Sequence, residues 1–450
     1  MIVKAPVHVW LPEQAEPVVA GEFVHDSQGP KGQFTYAPAY IAARHPRLAP
    51  EMPVRAKPLP VTGGNGIFPL FLDAGPDTWG RHLLAKRSAS GQAISEIEAL
   101  TQCPTDGVGN IALGVLTPER LRVLTTDEFL AVLGELEAGG VAGNDLEEQV
   151  LDAAHNGTSL GGTKPKLTVS RDGIQYLAKF PAQGDSRWLP HIECAMLKLA
   201  AACGIRACAD PKVWHLPDGR TALLVKRFDR HTEQGQVFRR GYISAHALLR
   251  LDLLPQRAAD TLAFGPTGFS AQSVRKSYVA FAADMARWCG GQAHHLTERQ
   301  ELWRRIVFNA LIRNLDDHSK NHGLICVDMS EQRWQLSPAF DLVPAVATAQ
   351  QPALSMAYRF VQPGRSRMQN TPAKLVARID VDDLLAAAIE HYGYQEKDAR
   401  AWLLETARRI TSAWRCMMAD EGVPTDEIRR YHASFAFAAS IGESGAVAGR

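Results

Sequence analysis

Asn314-Leu315-Asp316-Asp317-His318-Ser319-Lys320-Asn321 is followed, twenty residues beyond Asn321, by Asp341 in Ser337-Pro338-Ala339-Phe340-Asp341-Leu342-Val343-Pro344. Ahead of this stretch, Leu302, Trp303, Ile306, Val307, Ala310 and Leu311 recur at the spacing of one apolar helix face, which predicts a helix ending near Arg313. Phosphoryl transfer from ATP needs a carboxylate to orient or deprotonate the attacking hydroxyl, oxygen ligands for magnesium, and a cation on the α- and β-phosphates. An Asp, an Asn five residues on and a second Asp after a strand-length gap supply the first two. In that reading Asp316 is the base, and Asn321 and Asp341 hold magnesium. Asp and Asn after a helix also serve as caps and turns, so the short pattern has innocent matches, and the rest of the chain must decide.

The segment upstream supplies the missing parts. Lys166–Ser170 and Gln175–Phe180 read as strands around the hairpin turn Arg171-Asp172-Gly173. Lys179, at the end of the second strand, can reach phosphates as a point charge, and Glu193 on the next predicted helix is spaced to hold it. That helix shows Ile192, Met196, Leu199 and Cys203 at helical spacing, with Gly204 at its expected C-terminus. Before the strands lies S-L-G-G-T-K-P-K at 159–166, where Gly161 and Gly162 let backbone N–H groups approach an anion and Lys164 and Lys166 add charge. The loop fits neither dinucleotide nor Walker patterns. Loop, strand lysine, helix glutamate, helical segment, Asp-x-x-x-x-Asn and a later Asp stand in the order that a two-lobed kinase requires.

Other clusters have a weaker claim. His318 and His322 are four apart beside two aspartates, so a transition-metal site is an alternative. Pointing Asn321 at the nucleotide turns His322 away from His318, which leaves His318 as support for the loop. Cys289, His294 and His295 have no second ligand pair at zinc spacing, and Gly364-Arg365-Ser366-Arg367 is too short for a nucleic-acid patch.

The 450 residues allow two or three domains. With 49 Lys and Arg against 48 Asp and Glu the net charge is +1, which gives no general reason to bind nucleic acid or an anionic membrane. No apolar run is long enough to span a bilayer, the N-terminus does not read as a secretory signal, and seven scattered cysteines without a C-x-x-C pair suggest reduced thiols. A soluble cytoplasmic protein is expected. Val7–Leu11 reads as a strand, Pro76-Asp77-Thr78 as a helix start, Val108–Leu116 as a strand, and the stretch 137–145 as a connector. Lys212–His215 and Ala222–Lys226 read as strands, joined by a turn at Pro217-Asp218-Gly219. Beyond residue 240 the pattern is mostly helical, including 372–391 and 396–418, with a frayed tail at 442–450.

These motifs resemble the HipA family, the serine/threonine-kinase toxins of bacterial toxin–antitoxin modules. The resemblance spans almost the whole chain. P-D-T-W-G-R-H-L-L at 76–84 and V-G-N-I-A-L-G at 108–114 are similar to the family's N-terminal signature and the strand after it. S-L-G-G-T-K-P-K resembles its glycine loop, L-V-K-R-F-D-R at 224–230 its hinge, N-L-D-D-H-S-K-N its catalytic loop, and A-F-D-L-V-P its metal-binding segment. The resemblance implies an α+β, protein-kinase-like two-lobed fold, with a β-rich N-lobe and an all-helical C-lobe preceded by a small α/β domain. The divisions fall at 1–135, 136–235 and 236–450. It implies Asp316 as proton acceptor, and Asn321 and Asp341 as magnesium ligands. Lys179 would lie on the ATP phosphates under a loop carrying Gly161, Gly162, Thr163, Lys164 and Lys166, with Glu193 beside it. Lys226 to Phe228 would meet the adenine through backbone groups, with His318 lining the site and Ser159 matching the autophosphorylated serine. Thr163 and Lys164 stand where many members carry Ala and Gln, and Lys226 where an acidic residue is common. A HipB-like, DNA-bound antitoxin and a protein substrate are the implied partners. A small-molecule kinase is disfavoured because His318 follows Asp316 rather than preceding it, and a nucleotide-binding scaffold would not require all of Lys179, Asp316, Asn321 and Asp341.

Overall fold

The computed structural model describes residues 2–26, 28–29, 31–61, 64–76, 94–103, 105–131, 166–182, 184–217, 219–251, 274–346, 352–361 and 374–447. These fall into two compact units, one formed by Met1–Pro190, Ala209–Leu253 and Leu324–Trp334, the other by His191–Cys208, Leu254–Gly323 and Gln335–Arg450. The helix start expected after Pro76, the connector at 137–145, the glycine loop up to Pro165 and the Gly364–Arg367 stretch lie outside the described residues.

In the first unit, β1 (Ile2–Val9), β2 (Val18–Asp26), β3 (Lys31–Tyr36), β4 (Leu59–Val61) and β5 (Ile111–Leu113) make an antiparallel sheet in the order β4-β3-β2-β1-β5. One face is aromatic. Phe23 and Phe34 pack edge-on against Phe71, with centroids 5.4 and 5.7 Å away. The strand expected over 108–116 covers only Ile111–Leu113, because Gly109 (φ +92°) and Gly114 (φ +86°) turn the chain at either end into conformations that L residues avoid.

A second sheet of this unit has the order β6-β7-β8-β10-β9, from β6 (Leu124–Thr125), β7 (Lys166–Arg171), β8 (Ile174–Lys179), β9 (Lys212–His215) and β10 (Thr221–Lys226). Asp172 (φ +54°) and Gly173 (φ +74°) form the expected hairpin turn. The register aligns Leu167, Ala178 and Leu224 across three strands, and these join Val169, Tyr176, Phe180, Trp214 and Phe129 in one core. Because side chains alternate along a strand, the opposite face carries Lys166, Thr168 and Lys179. The hairpin β11 (Arg230–Glu233) and β12 (Gln236–Arg239) follows, then a sheet β13-β14-β15 from Tyr242–Ser244, Gly323–Asp328 and Arg333–Leu336.

A buried ionic clamp ties the end of β10 to the loop before β5. Asp229 accepts from Arg227 Nε (3.0 Å) and Nη2 (2.7 Å), from Arg230 Nη1 (2.7 Å) and from the Gly109 N–H (2.8 Å). The same guanidiniums donate to the carbonyls of Asp106, Gly107 and Gly109, and Arg227 also reaches Thr168 Oγ1 (2.9 Å). Every polar atom of the clamp that burial strips of water thus has a protein partner.

In the second unit the principal elements are α1 (Leu189–Ala202), α2 (Tyr278–Asp284), α3 (Gln292–Ile312), the pair β16 (Arg359–Val361) and β17 (Lys374–Val376), α4 (Val381–His391), α5 (Glu396–Asp420) and α6 (Ala436–Val447). All six apolar positions read from the sequence of α3 are buried. Three details differ from expectation. The part beyond residue 236 is not all helical, since β14, β15 and the antiparallel pair β16–β17 interrupt it. Residues 374–376 form a strand, and the helix expected from 372 starts only at Val381, where Asp380 caps the Asp382 and Asp383 N–H groups at 3.0 and 3.1 Å. The tail is helical to Val447, because Ala438 and Ile441 are buried and anchor it.

Candidate functional site

The last turn of α3 delivers the chain into the 314–321 loop. Arg313 takes a left-handed conformation (φ +58°) that stops the helix, and its carbonyl accepts from the Ala345 N–H at 2.9 Å. The two aspartates that follow have opposite fates. Asp316 is exposed, whereas Asp317 is 1% exposed. Asp317 accepts hydrogen bonds from Tyr278 Oη, Asn309 Nδ2 (2.6 Å) and His322 Nε2 (2.9 Å), and its carbonyl from Tyr278 Oη (3.0 Å) and Ser355 Oγ (2.6 Å). A buried carboxylate is tolerated only with such a full set of donors. Burial, reinforced by the Asp317 charge, pushes the Tyr278 hydroxyl well above its usual range, so it stays a proton donor. Asp317 is therefore the internal post around which the loop is wound, and Asp316 the group that it presents to solvent.

Asn321 is buried and donates from Nδ2 to the Asp316 carbonyl (3.2 Å), while its own N–H bonds the His318 carbonyl (2.9 Å). Its remaining side-chain atom, Oδ1, is a hard oxygen of the kind magnesium takes. Asp341 has φ +61° and is half-buried, and its carbonyl accepts from Asn314 Nδ2 at 3.3 Å. The Ser337 N–H to Gly323 carbonyl bond (2.8 Å) closes the strand ends between them, so Asn321 and Asp341 leave the same end of a hairpin. An amide oxygen and a carboxylate fit a magnesium ion. His322 is engaged by Asp317, and His318 is half-buried. Cys289 is buried, and His295 Nε2 lies 2.7 Å from the Ala282 carbonyl. Among the described residues no cluster of three or more His, Cys, Asp or Glu side chains could hold a metal.

The remaining candidates are spread over both units. Lys179 is half-buried at the end of β8, and its direct cross-strand partner is Lys166, 4% exposed on β7. Residues opposite one another on antiparallel strands share a face, so both lysines stand on the face away from the apolar core. Lys226 pairs with Tyr176, whose side chain belongs to that core, and so lies on the other face. Phe228 rests against Tyr242, centroids 5.7 Å apart. Glu193 is buried on α1 in the second unit. Ser159, Gly161, Gly162, Thr163 and Lys164 lie outside the described residues.

Sequence reasoning overlooked a polar stripe buried on α3. Glu298, Glu301, Arg305 and Asn309 follow one another at helical spacing, each at most 7% exposed. Glu298 accepts from the Leu336 N–H (2.8 Å) and from Arg206 Nη2 (2.6 Å), Glu301 from the Arg206 N–H (3.1 Å) and Arg305 Nε (3.0 Å), and Asn309 reaches Asp317. One helix face thus braces both the segment leading to Asp341 and the loop carrying Asp316. Charged residues at i, i+3 and i+7 were visible in the sequence, but such a stripe ordinarily faces water.

Two family profiles match the chain. The profile of the HipA N-terminal domain matches residues 7–114, and that of the HipA-like C-terminal domain matches residues 158–414. Among solved structures, the chain is similar to the HipA of the Shewanella oneidensis MR-1 toxin–antitoxin system, solved with HipB and operator DNA. The TM-score is 0.63 and the identity 17%, over 98% of this chain and 97% of that one, so the likeness is one of fold. A Helicobacter pylori proinflammatory kinase, CtkA, aligns with TM-score 0.41 and 12% identity, over 65% of this chain and 95% of that one. No protein of curated function matches the sequence. The fold is the α+β, two-lobed, kinase-like one expected.

Proposed function

The chain belongs to the HipA family, and from that premise we propose that it is an ATP- and magnesium-dependent serine/threonine-protein kinase, the toxin of a toxin–antitoxin pair. The observation that carries the reading is the division of labour in the 314–321 loop. A buried, fully bonded Asp317 holds the backbone while the adjacent Asp316 stays exposed, and Asn321 is strapped to the Asp316 carbonyl. An exposed carboxylate on a rigid mount suits a group that must meet a substrate hydroxyl and accept its proton.

In this reading Asn321 and Asp341 hold magnesium, which neutralises charge on the transferring phosphoryl group when bound. Lys179 and Lys166 face the nucleotide phosphates. The two lysines stand directly opposite on neighbouring strands and so share one face of the sheet. The family resemblance assigns Gly161, Gly162, Thr163 and Lys164 to the phosphates, Glu193 to the support of Lys179, and His318 to the lining of the site. Lys226 to Phe228 meet the adenine through their backbone, in keeping with a Lys226 side chain directed to the other face. Ser159 is the autophosphorylated residue; a phosphate of about −1.5 to −2 charges there would clash with those of ATP. The roles divide as 1–135 for partner docking, 136–235 for the nucleotide lobe and 236–450 for the catalytic lobe. The substrate is a cytosolic protein, substrates in the family including aminoacyl-tRNA synthetases, and a HipB-like DNA-bound antitoxin is the partner.

The test is to incubate the wild type and Asp316→Asn with labelled ATP and magnesium, alone and with cell extract. Label on the chain itself and on an extract protein, both lost in Asp316→Asn, is expected, with Ser159→Ala removing most self-label. Label confined to small molecules would point to a small-molecule kinase. Absence of label with intact ATP binding would leave a nucleotide-binding scaffold.

A further inference from the structure

The polar stripe on α3 ends in a chain of amides that the proposed reaction does not use directly. Asn309 Nδ2 donates to the Asp317 carboxylate (2.6 Å). Asn314 Nδ2 donates to Asn309 Oδ1 (3.1 Å) and to the Asp341 carbonyl (3.3 Å). The two asparagines are 1% and 2% exposed, so water does not substitute for these bonds.

The direction of the chain is dictated at one end. Asn309 turns its NH2 toward the Asp317 carboxylate and its oxygen toward Asn314. That oxygen in turn demands the NH2 of Asn314, which is thereby also the group that faces the Asp341 carbonyl. Every amide is oriented by its neighbour, and the polarity of Asp317 is passed without a break to the backbone of Asp341. Asp341 has a left-handed backbone (φ +61°), uncommon for a non-glycine residue, and the Asn314 hydrogen bond to its carbonyl helps to hold that conformation.

We propose that Asn309 and Asn314 are positioning residues that set Asp341 relative to Asp316 and Asn321, so that the cation site is assembled before nucleotide arrives. The inference rests on the assignment of Asn321 and Asp341 as cation ligands. Outer partners that orient a metal ligand are commonly worth roughly 10–100-fold in metal affinity. Asn314→Asp keeps the size of the side chain but turns an acceptor toward two acceptors, and Asn314→Ala removes the donor. Asn309→Ala breaks the chain one link farther from Asp341.

The experiment measures Mn2+ binding by electron paramagnetic resonance in the presence of a non-hydrolysable ATP analogue. It runs beside the affinity for that analogue without metal and the melting temperature without ligand. The Asn314 variants are expected to weaken Mn2+ binding about 10-fold or more, with metal-free nucleotide affinity unchanged. Asn309→Ala is expected to act in the same direction and carries the test should the Asn314 variants not fold. Arg359→Ala serves as the control for general destabilisation, since it removes ion pairs to Asp383 and Glu390 elsewhere in the unit and should leave Mn2+ affinity unaltered. Folded Asn314 and Asn309 variants that bind Mn2+ like the wild type, while Asn321→Ala and Asp341→Asn do not, would overturn the proposal alone. A wild type insensitive to Asn321→Ala and Asp341→Asn would overturn the ligand assignment, and the proposal with it.

Discussion

Replacing Asp229 by Ala should be among the most damaging single substitutions outside the 314–321 loop. The carboxylate is 2% exposed and accepts four hydrogen bonds, three of them from the two buried guanidiniums of Arg227 and Arg230. Removing one partner of a buried ionic group costs about 3–5 kcal/mol, because the remaining charges stay desolvated. Here both arginines keep carbonyl acceptors at Gly107, Gly109 and Asp106, so the loss is expected near the lower end, about 3 kcal/mol. The substitution also lets two like charges face each other. A local readout exists in the Gly109 amide, which donates to Asp229 and should lose hydrogen-exchange protection together with its neighbours at 105–110. The acid limb of stability carries the same signature. Burial alone would raise the Asp229 carboxyl, but Arg227 and Arg230 overcome it and hold it well below the usual carboxylate range. A depressed folded pKa contributes stability that is complete above the unfolded value of about 4 and is lost as pH falls toward the folded one. Asp229→Ala should therefore show a shallower loss of stability below about pH 4 than the wild type. Urea unfolding that differs from wild type by less than about 1 kcal/mol, with Gly109 still protected, would refute the view that this clamp holds 105–110 to the end of β10.

Two further outcomes follow from packing. Gly21→Ala would place a methyl 2.1 Å from the Thr35 carbonyl oxygen and 2.8 Å from the Phe34 ring, so a loss of about 1–3 kcal/mol or more is expected in urea unfolding. Of the seven cysteines only Cys416 is exposed, and burial pushes the Cys103, Cys203, Cys289 and Cys326 thiols up to about 12. A thiol reagent should therefore titrate one group rapidly in the native protein and the other six only on unfolding.

Much of this organisation was legible wherever the signal is local. The turn at Asp172 and Gly173 sits where Arg171-Asp172-Gly173 announced it, and α3 buries the face that its apolar spacing marked. The strand Lys374–Val376 was not legible, because its partner at Arg359–Val361 lies outside any local window and helical spacing alone ran through both strand and helix. Helicity of the tail likewise depends on burial of Ala438 and Ile441, which its small and flexible residues do not advertise.

The candidate site divides in the same way. Sequence by itself determined which groups are present and their order along the chain, since the spacing of Asp316, Asn321 and Asp341 depends only on covalent continuity. Tertiary structure alone decided that Asp316 faces solvent while its neighbour Asp317 is buried, because that choice depends on Tyr278, Asn309 and His322 meeting at one carboxylate. It also decided that Arg227, Asp229 and Arg230, read as part of a hinge, form a closed ionic clamp. A charge tolerates burial only where its partners converge in space, and no spacing along a single chain reports where they converge.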